Sequence, residues 1–190
     1  MAADQIVGVL LAAGRGKRFD PTGQQDKLLA RLPSGIPVAV AAATNLCAAL
    51  DRVVAVVRPN ADELAAELRN AGCEVIVCAE ADDGMGTVLA YAIRHCADAE
   101  AWVVAFGDMP FITAATYAAV IRALCEHDLV AAEFSGQRGH PVGFGRRYLP
   151  QLLGLTGELG ARELLAQAAP HLVNTTDPGV VSDIDTKADL

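Results

Sequence analysis

A short segment near the N-terminus has residue types suited to binding a multiply charged anion. Gly14 and Gly16 lie among four cations, which are Arg15, Lys17, Arg18 and Lys27. Glycine lets backbone N–H groups approach an oxyanion closely, and several cations can neutralise several negative charges at once. The segment follows an apolar run at 7–11, which is typical of a buried parallel strand that carries a loop to the edge of a sheet. The pattern indicates a polyphosphate site, and the alternative is an ordinary surface loop with solvated cations.

Two better-known phosphate loops do not fit this segment. It begins like a G-x-G-x-x-G pattern, but the last position is Phe19, and Arg58 follows the next apolar run where a ribose-binding acid is needed. A P-loop requires Lys followed by Ser or Thr, whereas Lys17 is followed by Arg18. A dinucleotide site and a P-loop site are therefore both excluded.

The loop resembles the signature of another family. The string LAAGRGKRF at 11–19, followed by Lys27, is similar to the nucleotidyltransferase signature L-x-A-G-x-x-x-R-h-G then Lys, in which h is apolar. Later segments resemble the branch of that family that makes the molybdenum cofactor dinucleotides. These segments are GDMP at 107–110, GHPV at 139–142, GELGAR at 157–162 and DIDT at 183–186. They follow the family's order and span nearly the whole chain.

The resemblance implies a nucleotidyl transfer, in which an anionic phosphate attacks the α-phosphorus of a nucleoside triphosphate. Because the two reactants repel each other, the site has to supply positive charge and hold them in line. A divalent cation held by carboxylates does both, and Mg²⁺ needs only one or two carboxylates beside phosphate oxygens and water. We therefore expect Mg²⁺ as the cofactor, with Mn²⁺ as an alternative.

Two carboxylates are the candidate ligands of this metal. Asp108 follows the apolar run 102–106 after one glycine, Gly107, so by position it is either a metal ligand or a turn residue at the start of the next helix. The resemblance of GDMP to the family's metal-binding motif favours a ligand. Asp185 is the second candidate, because related nucleotidyltransferases complete the metal site with a C-terminal Asp or Asn. Asp183 and Asp189 are interpreted as solvated charges.

The triphosphate is expected to contact Arg18, which offers a bidentate fork, and Lys27, which offers a point charge. Arg15 and Lys17 either touch phosphate or remain solvated. The backbone of the glycine loop should line the nucleotide, and the resemblance places the base near this loop and near 84–87. The predicted catalytic residues are Arg18, Lys27 and Asp108, and the predicted nucleotide-binding residues are Leu11, Ala12, Ala13, Gly14, Arg15, Gly16, Lys27, Gly84, Gly86 and Thr87.

The acceptor has two candidate contacts. His140 could orient the acceptor, or it could be a turn histidine bonded to backbone. Arg162 could bind the acceptor's phosphate, or it could form a surface ion pair with Glu158 or Glu163. Neither residue has to act as a general base, because a phosphate acceptor is already ionised.

The substrates are expected from resemblance alone. The residues LAAG at 11–14 resemble the cytidylyl branch, whereas the guanylyl branch tends to have Gly in place of Ala13, so we predict CTP and molybdopterin. Asp20 replaces the signature's Gly, and Glu158 replaces the Asp of the family's G-D-x-G-A-R. Two alternatives stay open: guanylyl or other nucleotidyl transfer to a different phosphorylated acceptor, or a non-catalytic accessory protein for a downstream molybdoenzyme.

The elements that have to position these residues alternate between strand and helix. Apolar runs predict strands at 53–57, 75–77, 102–106 and 129–132, and helical patterns lie at 37–50, 60–72, 87–96 and 113–126. Asn60 with Glu63 resembles a capping box, and Thr113 could cap its helix. This alternation predicts a three-layer, doubly wound, mostly parallel α/β sheet. The family resemblance implies that this sheet is Rossmann-like and of the nucleotide-diphospho-sugar transferase type. Ligands then bind beyond the carboxyl ends of the strands.

The alternation weakens after residue 134. Helical patterns at 146–153 and 159–168 and a short strand at 172–173 follow strand-like residues with turns at 137–144. We predict one domain over 1–190, in which 1–133 bind the nucleotide and 134–190 form an acceptor-side extension.

The composition limits the partners and the compartment. A net charge of -8 argues against nucleic acid as the main partner, while the local cationic cluster suits a small anion. The 5 cysteines are odd in number and contain no C-x-x-C pair, so they are interpreted as reduced thiols. Neither a signal peptide nor a membrane span is evident, and a cytoplasmic location is expected.

Overall fold

A twisted sheet with helices on both faces forms the framework, and a computed structural model describes residues 5–16, 18–158 and 160–190. The strands are β1 (Ile6–Ala12), β2 (Val53–Val57), β3 (Glu74–Val77), β4 (Ala101–Phe106), β5 (Leu129–Phe134), β6 (Gln137–Gly145) and β7 (His171–Asn174). The α-helices are α1 (Val38–Cys47), α2 (Asp62–Asn70), α3 (Met85–His95), α4 (Ala114–Leu124), α5 (Leu149–Leu153) and α6 (Arg162–Gln167). Lys17, a predicted loop cation, lies outside the described residues.

The seven strands form one mostly parallel sheet in the order β3-β2-β1-β4-β6-β5-β7. Strands β1, β2, β3 and β4 are mutually parallel, and β5 is parallel to β7. Strand β6 runs antiparallel to both of its neighbours, β4 and β5. The prediction of a doubly wound, mostly parallel sheet is confirmed.

The central strands supply side chains to two separate cores, which makes the fold three-layered. All seven residues of β1 are buried, and they alternate between the two faces. Leu10 packs with α1, α2 and α4 on one face. Val9 packs with α3 and α5 on the other. Strands buried on both faces have to be apolar throughout, which is why β1, β2 and β4 read as continuous apolar runs.

Local signals at helix ends were correct in one case and wrong in another. Thr113 is the N-cap of α4, as predicted, and its side chain accepts from the backbone N–H of Thr116. The predicted capping box at Asn60 and Glu63 is wrong, because α2 begins at Asp62 after Ala61, with no side-chain cap. Asn60 instead has a φ of 62°, the left-handed conformation of a turn, which Asn tolerates better than most residues.

The part of the chain after residue 134 continues the same sheet. Strand β6 forms a hairpin with β5 through Ser135 and Gly136, which both have positive φ, and it pairs with β4 on its other side. The boundary predicted between residues 133 and 134 therefore falls inside β5. The last predicted helix begins at Arg162, and its predicted first residue, Leu159, lies outside the described residues. None of the described helices is long and apolar enough to cross a membrane.

Candidate active site

The glycine loop and Asp108 leave the sheet side by side. Strands β1 and β4 are paired in parallel up to Leu11 and Phe106, and the Gly107 N–H donates to the Leu11 carbonyl at 2.9 Å. A Cβ at Gly107 would lie 3.2 Å from the Cβ of Ala12, so this close approach favours glycine. The two segments thus reach the same edge of the sheet, as expected for the carboxyl ends of neighbouring parallel strands.

Four charged side chains meet at this edge. The Lys27 Nζ donates to Asp108 Oδ2 at 2.7 Å and lies 3.7 Å from Asp185 Oδ1. The Arg18 guanidinium donates to the other carboxylate oxygen of Asp185. Lys27 is buried, with a side chain 10% exposed, whereas the Arg18 side chain is 79% exposed. The structure therefore brings together all of the predicted catalytic and metal-binding residues.

Lys27 is held in place by the residue before it. Lys27 begins a 3₁₀ turn, Lys27–Leu29, whose N-cap Asp26 accepts from the Leu28 N–H at 3.0 Å. The Arg58 guanidinium donates to Asp26 at 3.1 Å and to the Gly14 carbonyl at 2.8 Å. Arg58 therefore ties the glycine loop to the turn that presents Lys27. Sequence reasoning missed this role, although Arg58 directly follows β2 and so belongs to the same sheet edge.

The C-terminal carboxylates are positioned by a second set of contacts. The Ile184 N–H donates to the Asp108 carbonyl at 2.9 Å, which brings the DIDT segment against the GDMP segment. Asp189 accepts from the backbone N–H groups of Asp185 at 3.1 Å and Thr186 at 2.7 Å, and these hydrogen bonds from Thr186 and Asp185 lower the pKa of Asp189. Interpreting Asp189 as a merely solvated charge was wrong. Thr186 and Asp189 have the spacing of a capping box, and this pattern could have indicated the contacts of Asp189 from the sequence.

Asp183 also belongs to the site. It faces a cavity shared with Asp108 and Asp185. Burial raises the pKa of Asp183, and the negative charges of Asp185 and Asp108 raise it further. Asp183 is exposed, so its interpretation as a solvated charge holds, but it lies beside the other carboxylates of the site and not apart from them.

Two cavities meet at the charged group. The first, of about 610 Å³, is lined by the glycine loop, by the 81–88 region and by Glu158, and we call it the nucleotide cavity after the ligand predicted from the sequence. The second, of about 650 Å³, is lined by the start of β6, by Arg162 and by Asp183, and we call it the acceptor cavity after the predicted acceptor contacts in its lining. Both are lined by Gly16, Arg18, Lys27, Met85, Phe106 and Asp108. Of the four charged side chains, Arg18, Lys27 and Asp108 line both cavities, and Asp185 lines the acceptor cavity.

Most predicted nucleotide-binding residues line the first cavity, and three do not. Those that line it are Leu11, Ala13, Gly14, Arg15, Gly16, Lys27 and Gly84, whereas Ala12, Gly86 and Thr87 are not in its lining. The Gly86 N–H donates to the Gly157 carbonyl at 2.7 Å, and a Cβ at Gly86 would lie 2.6 Å from the Thr156 carbonyl oxygen. Gly86 therefore permits a close approach to the backbone of Thr156 and Gly157 in the same chain.

Arg15 forms an ion pair across the nucleotide cavity. Its Nε donates to Asp82 Oδ1 at 2.7 Å, and a second guanidinium nitrogen contacts the other oxygen of Asp82. Both side chains are more than half exposed and line the cavity. The partner lies 67 residues along the chain, so no local pattern could have indicated it.

The two predicted acceptor contacts both line the acceptor cavity. His140 lies on β6, edge-on to Phe106 with ring centroids 4.5 Å apart, and its buried Nδ1 has no hydrogen-bond partner among the described residues. Burial lowers the pKa of the His140 imidazole to about 4, and the charge of Arg138 contributes, so the ring is neutral at pH 7. Arg162 is exposed at the first position of α6.

The donor set at the charged group fits a hard divalent cation. Asp108 and Asp185 both present carboxylate oxygens to one point, which Lys27 Nζ now contacts. No cluster of three or more His, Cys, Asp or Glu side chains that could hold a metal is found in the described parts of the chain. Two carboxylates are sufficient for Mg²⁺ when phosphate and water complete its coordination.

A family model for the MobA-like NTP transferase domain matches residues 8–172. The chain belongs to this family. The resemblance in the sequence motifs is thus confirmed at the level of the family, and the chain is a nucleotidyltransferase by fold and class.

Three named proteins are similar to this chain over nearly their full length. The purine catabolism protein PucB of Bacillus subtilis is 27% identical, with 98% of this chain and 94% of that protein aligned. The nicotine blue oxidoreductase of Paenarthrobacter nicotinovorans is also 27% identical, with 95% and 92% aligned. The crystal structure of Rv0371c from Mycobacterium tuberculosis superposes with a TM-score of 0.80 at 26% identity, covering 99% and 96% of the two chains. A second structure of Rv0371c is a complex with manganese, with a TM-score of 0.78 at 25% identity, covering 97% and 95%.

The two departures of this MobA-like chain from its family pattern have local explanations. Asp20 organises its own turn, because it accepts from the Thr22 hydroxyl and the Gln25 N–H, both at 2.7 Å, and from the Thr22 N–H. These hydrogen bonds lower the pKa of Asp20 to about 2. Glu158 lines the first cavity and is not in the lining of the second.

Proposed function

We propose that the chain transfers a cytidylyl group from CTP to the phosphate of molybdopterin, releasing pyrophosphate and forming molybdopterin cytosine dinucleotide. The observation that carries this proposal is the meeting of two cavities at one group of charges, Arg18, Lys27, Asp108 and Asp185. Membership of the MobA-like family supplies the reaction class. The LAAG segment at 11–14 supports CTP over GTP by its resemblance to the cytidylyl branch.

In this proposal catalysis is positioning combined with charge neutralisation. The acceptor phosphate is already an anion, so no residue has to remove a proton. Lys27 and Arg18 neutralise the triphosphate, and Asp26 and Arg58 fix the turn that holds Lys27. A fixed cation such as Lys27 stabilises the transition state because it needs no reorganisation as charge develops.

The acceptor is oriented by the second cavity. Arg162 supplies positive charge at its rim, and the neutral His140 supplies hydrogen-bonding nitrogens without adding charge. Phe106 and Met109 give the cavity an apolar wall that suits the pterin body of the acceptor.

Asp108 and Asp185 would hold Mg²⁺ or Mn²⁺, which when bound supplies positive charge to the reacting phosphates. The carboxylate donor set supports this assignment, and so does the manganese in the complex of the related Rv0371c. The 5 unbridged cysteines support a reducing, cytoplasmic compartment.

The test is a matrix of nucleotides and acceptors with the purified protein. Each of four ribonucleoside triphosphates is combined with molybdopterin and with a panel of sugar phosphates, in Mg²⁺ or Mn²⁺, and both pyrophosphate release and product mass are measured. We expect one product, with the mass of the cytosine dinucleotide. Preference for GTP, or for a sugar phosphate, would overturn the corresponding substrate assignment and retain the reaction class.

Two rival functions are tested by the same protein. A non-catalytic carrier would bind nucleotide or cofactor without releasing pyrophosphate. A redox function is favoured only by the name of one relative, nicotine blue oxidoreductase. In this chain Arg58 follows β2 at the position where a dinucleotide-binding fold needs a ribose-binding acid. Oxidation of NADH or NADPH by the protein with an organic acceptor, in the absence of pyrophosphate release, would favour the redox function.

A further inference from the structure

The cations assigned to the triphosphate are already paired with the carboxylates assigned to the metal. Lys27 contacts Asp108 and lies near Asp185, and Arg18 contacts Asp185. The four side chains carry two positive and two negative charges, so the group is neutral as it stands. A paired carboxylate attracts a divalent cation less strongly, and a paired cation attracts phosphate less strongly, than the same group unpaired.

We propose that these four side chains form a charge-exchange latch that couples the binding of metal and nucleotide. The proposal rests on the proposed function. A triphosphate alone can engage Lys27 and Arg18 only by leaving Asp108 and Asp185 without counterions. A divalent cation alone leaves the two cations without partners. When both ligands bind, every charge regains a partner, so each ligand raises the affinity of the other by the same factor.

The two ion pairs of the latch, Lys27 with Asp108 and Arg18 with Asp185, differ in strength. The Lys27 side chain is 10% exposed, and Lys27 lies between two carboxylates, whereas the Arg18 side chain is 79% exposed and contacts only Asp185 within the described group. Exposed ion pairs are weak because water and salt screen them. The ion pair between Arg18 and Asp185 is therefore the one that breaks first.

The nucleotide side of the latch is tested without metal. Binding of CTP is measured by calorimetry in EDTA, so that chelation of metal by the nucleotide contributes nothing. Asp185→Asn releases Arg18, and we expect it to bind CTP roughly two- to fivefold more tightly than the wild type, the range that breaking an exposed ion pair allows. Asp183→Asn is the matched control, because it removes the same charge from the same cavity and Asp183 has no ion pair to Lys27 or Arg18 in the described structure.

The metal side is tested without nucleotide. Binding of Mn²⁺ alone is followed by electron paramagnetic resonance, and Arg18→Gln is expected to bind Mn²⁺ roughly two- to fivefold more tightly than the wild type. Arg162→Gln is the control, since Arg162 lines the same cavity at an exposed position. Thermal melting of each variant checks that the fold is retained.

The outcomes distinguish a failure of the proposed latch from a failure of the proposed function. If Asp185→Asn binds CTP no better than Asp183→Asn, or Arg18→Gln binds Mn²⁺ no better than Arg162→Gln, the latch is wrong, while pyrophosphate release by the wild type still supports the proposed function. If CTP binds to no variant, with or without Mn²⁺, both are overturned.

A second observation, at the other end of the sheet, carries a separate proposal. The Sγ atoms of Cys47 and Cys73 lie 3.8 Å apart. Cys47 is the last residue of α1 and is half-buried, and Cys73 is buried directly before β3. Both positions lie at the amino ends of the parallel strands, away from the candidate active site. The hydrogen bond from Cys73 lowers the pKa of the Cys47 thiol, which makes the more accessible sulfur the better nucleophile.

We infer that Cys47 and Cys73 are a reversible thiol–disulfide pair. The Cys47 thiolate attacks a small disulfide such as oxidised glutathione and expels one thiolate. Cys73 then loses its proton and attacks the Cys47 sulfur of the mixed disulfide, which expels the second thiol. The protein loses two electrons and two protons, and the small disulfide gains them.

The test counts thiols in the intact chain after treatment with oxidised glutathione. The count is made on Cys125→Ser, which lacks the exposed thiol that oxidised glutathione would also modify. Alkylation under denaturing conditions should find 2 free thiols in place of 4, and peptide mass mapping should find Cys47 joined to Cys73. The control that combines Cys47→Ser with Cys125→Ser should keep its 3 thiols. Retention of all four thiols in Cys125→Ser, or a glutathione adduct that persists on Cys47, would overturn this inference.

Discussion

At the scale of the residue, the site depends on where each charge is held. Lys27 is buried between two carboxylates, so its position is fixed before any ligand binds, whereas Arg18 extends into solvent. A buried charge whose partner is removed costs about 3–5 kcal/mol, so these side chains cannot be exchanged freely. The substitutions that best test the residue roles therefore keep the shape and change only the charge.

Asp108→Asn is expected to lower turnover about 10²–10³-fold, the loss typical of removing one preorganised electrostatic contact. The amide oxygen can still accept from Lys27, and Asp185 remains 3.7 Å from the Lys27 Nζ. The chain should therefore stay folded, with a midpoint of thermal unfolding below that of the wild type, because Lys27 loses one of its two counter-charges. Pyrophosphate release and thermal melting are measured together. Asp98→Asn, at an exposed carboxylate that pairs with Arg52, serves as the control. Near-normal activity of Asp108→Asn in Mg²⁺ would remove Asp108 from the metal site.

His140 predicts a pH dependence of stability. Its pKa is about 4 in the folded chain, mainly because of burial, against about 6.5 when unfolded. The folded state thus binds fewer protons, so stability is fully present above about pH 6.5 and is lost as the pH falls toward 4, by at most about 3 kcal/mol. Denaturant unfolding between pH 7 and 4 should show a smaller decline for His140→Gln than for the wild type. Equal declines would mean that His140 is protonated as easily in the folded chain as in the unfolded one.

At the scale of the element, a glycine in the loop after β1 and a glycine at the start of α3 have different functions. A Cβ at Gly14 would meet no atom within 4 Å, whereas a Cβ at Gly86 would lie 2.6 Å from the Thr156 carbonyl oxygen and 2.9 Å from that of Gly157. The first glycine leaves space for a ligand beside the loop after β1. The second lets the 156–158 segment pack on the start of α3.

Gly14→Ala and Gly86→Ala should therefore separate binding from folding. Gly86→Ala is expected to lower the free energy of unfolding by about 1–3 kcal/mol, because backbone has to move. Gly14→Ala should change stability by less than about 0.5 kcal/mol and yet weaken CTP binding. Urea unfolding and calorimetry measure the two quantities. A destabilised Gly14→Ala with normal affinity would contradict the role of this loop in binding.

Sequence reasoning was strongest where a local pattern determines the structure. The buried runs at β1, β2 and β4 and the cap at Thr113 could be predicted because burial and capping depend on neighbouring residues. The pairing of Arg15 with Asp82 and the place of Asp183 beside Asp108 depend on contacts between distant segments, which no local spacing encodes. The error at Asn60 arose because a turn and a helix cap favour the same residue types.

At the scale of the whole molecule, the nucleotide and acceptor sides share one sheet. Strand β6 supplies His140 to the acceptor cavity and pairs with β4, which carries Asp108 at its end. The side chain of Trp102 on β4 is fully buried, and its Nε1 donates to the Cys96 carbonyl at 3.1 Å. The parts predicted as 1–133 and 134–190 are therefore joined through the middle of the sheet.

This arrangement predicts a single cooperative unfolding transition. The chain has one Trp, so its fluorescence reports the centre of the sheet, while far-ultraviolet circular dichroism reports all helices and strands. The two signals should give the same urea midpoint and the same slope, because neither part can separate without breaking the pairing of β4 and β6. Two resolved midpoints would show that the two parts unfold independently and would contradict the prediction of one domain.

The place of β6 between β4 and β5 also has a consequence for synthesis on the ribosome. Strand β5 is made first, but its neighbours in the finished sheet, β6 and β7, are both made after it. Until Gly145 has left the exit tunnel, β4 therefore has an open edge on one side and β5 has no partner at all. A nascent chain paused before that point would expose the open edge of β4 and both edges of β5, so this interval is when a chaperone that shields apolar segments would matter most.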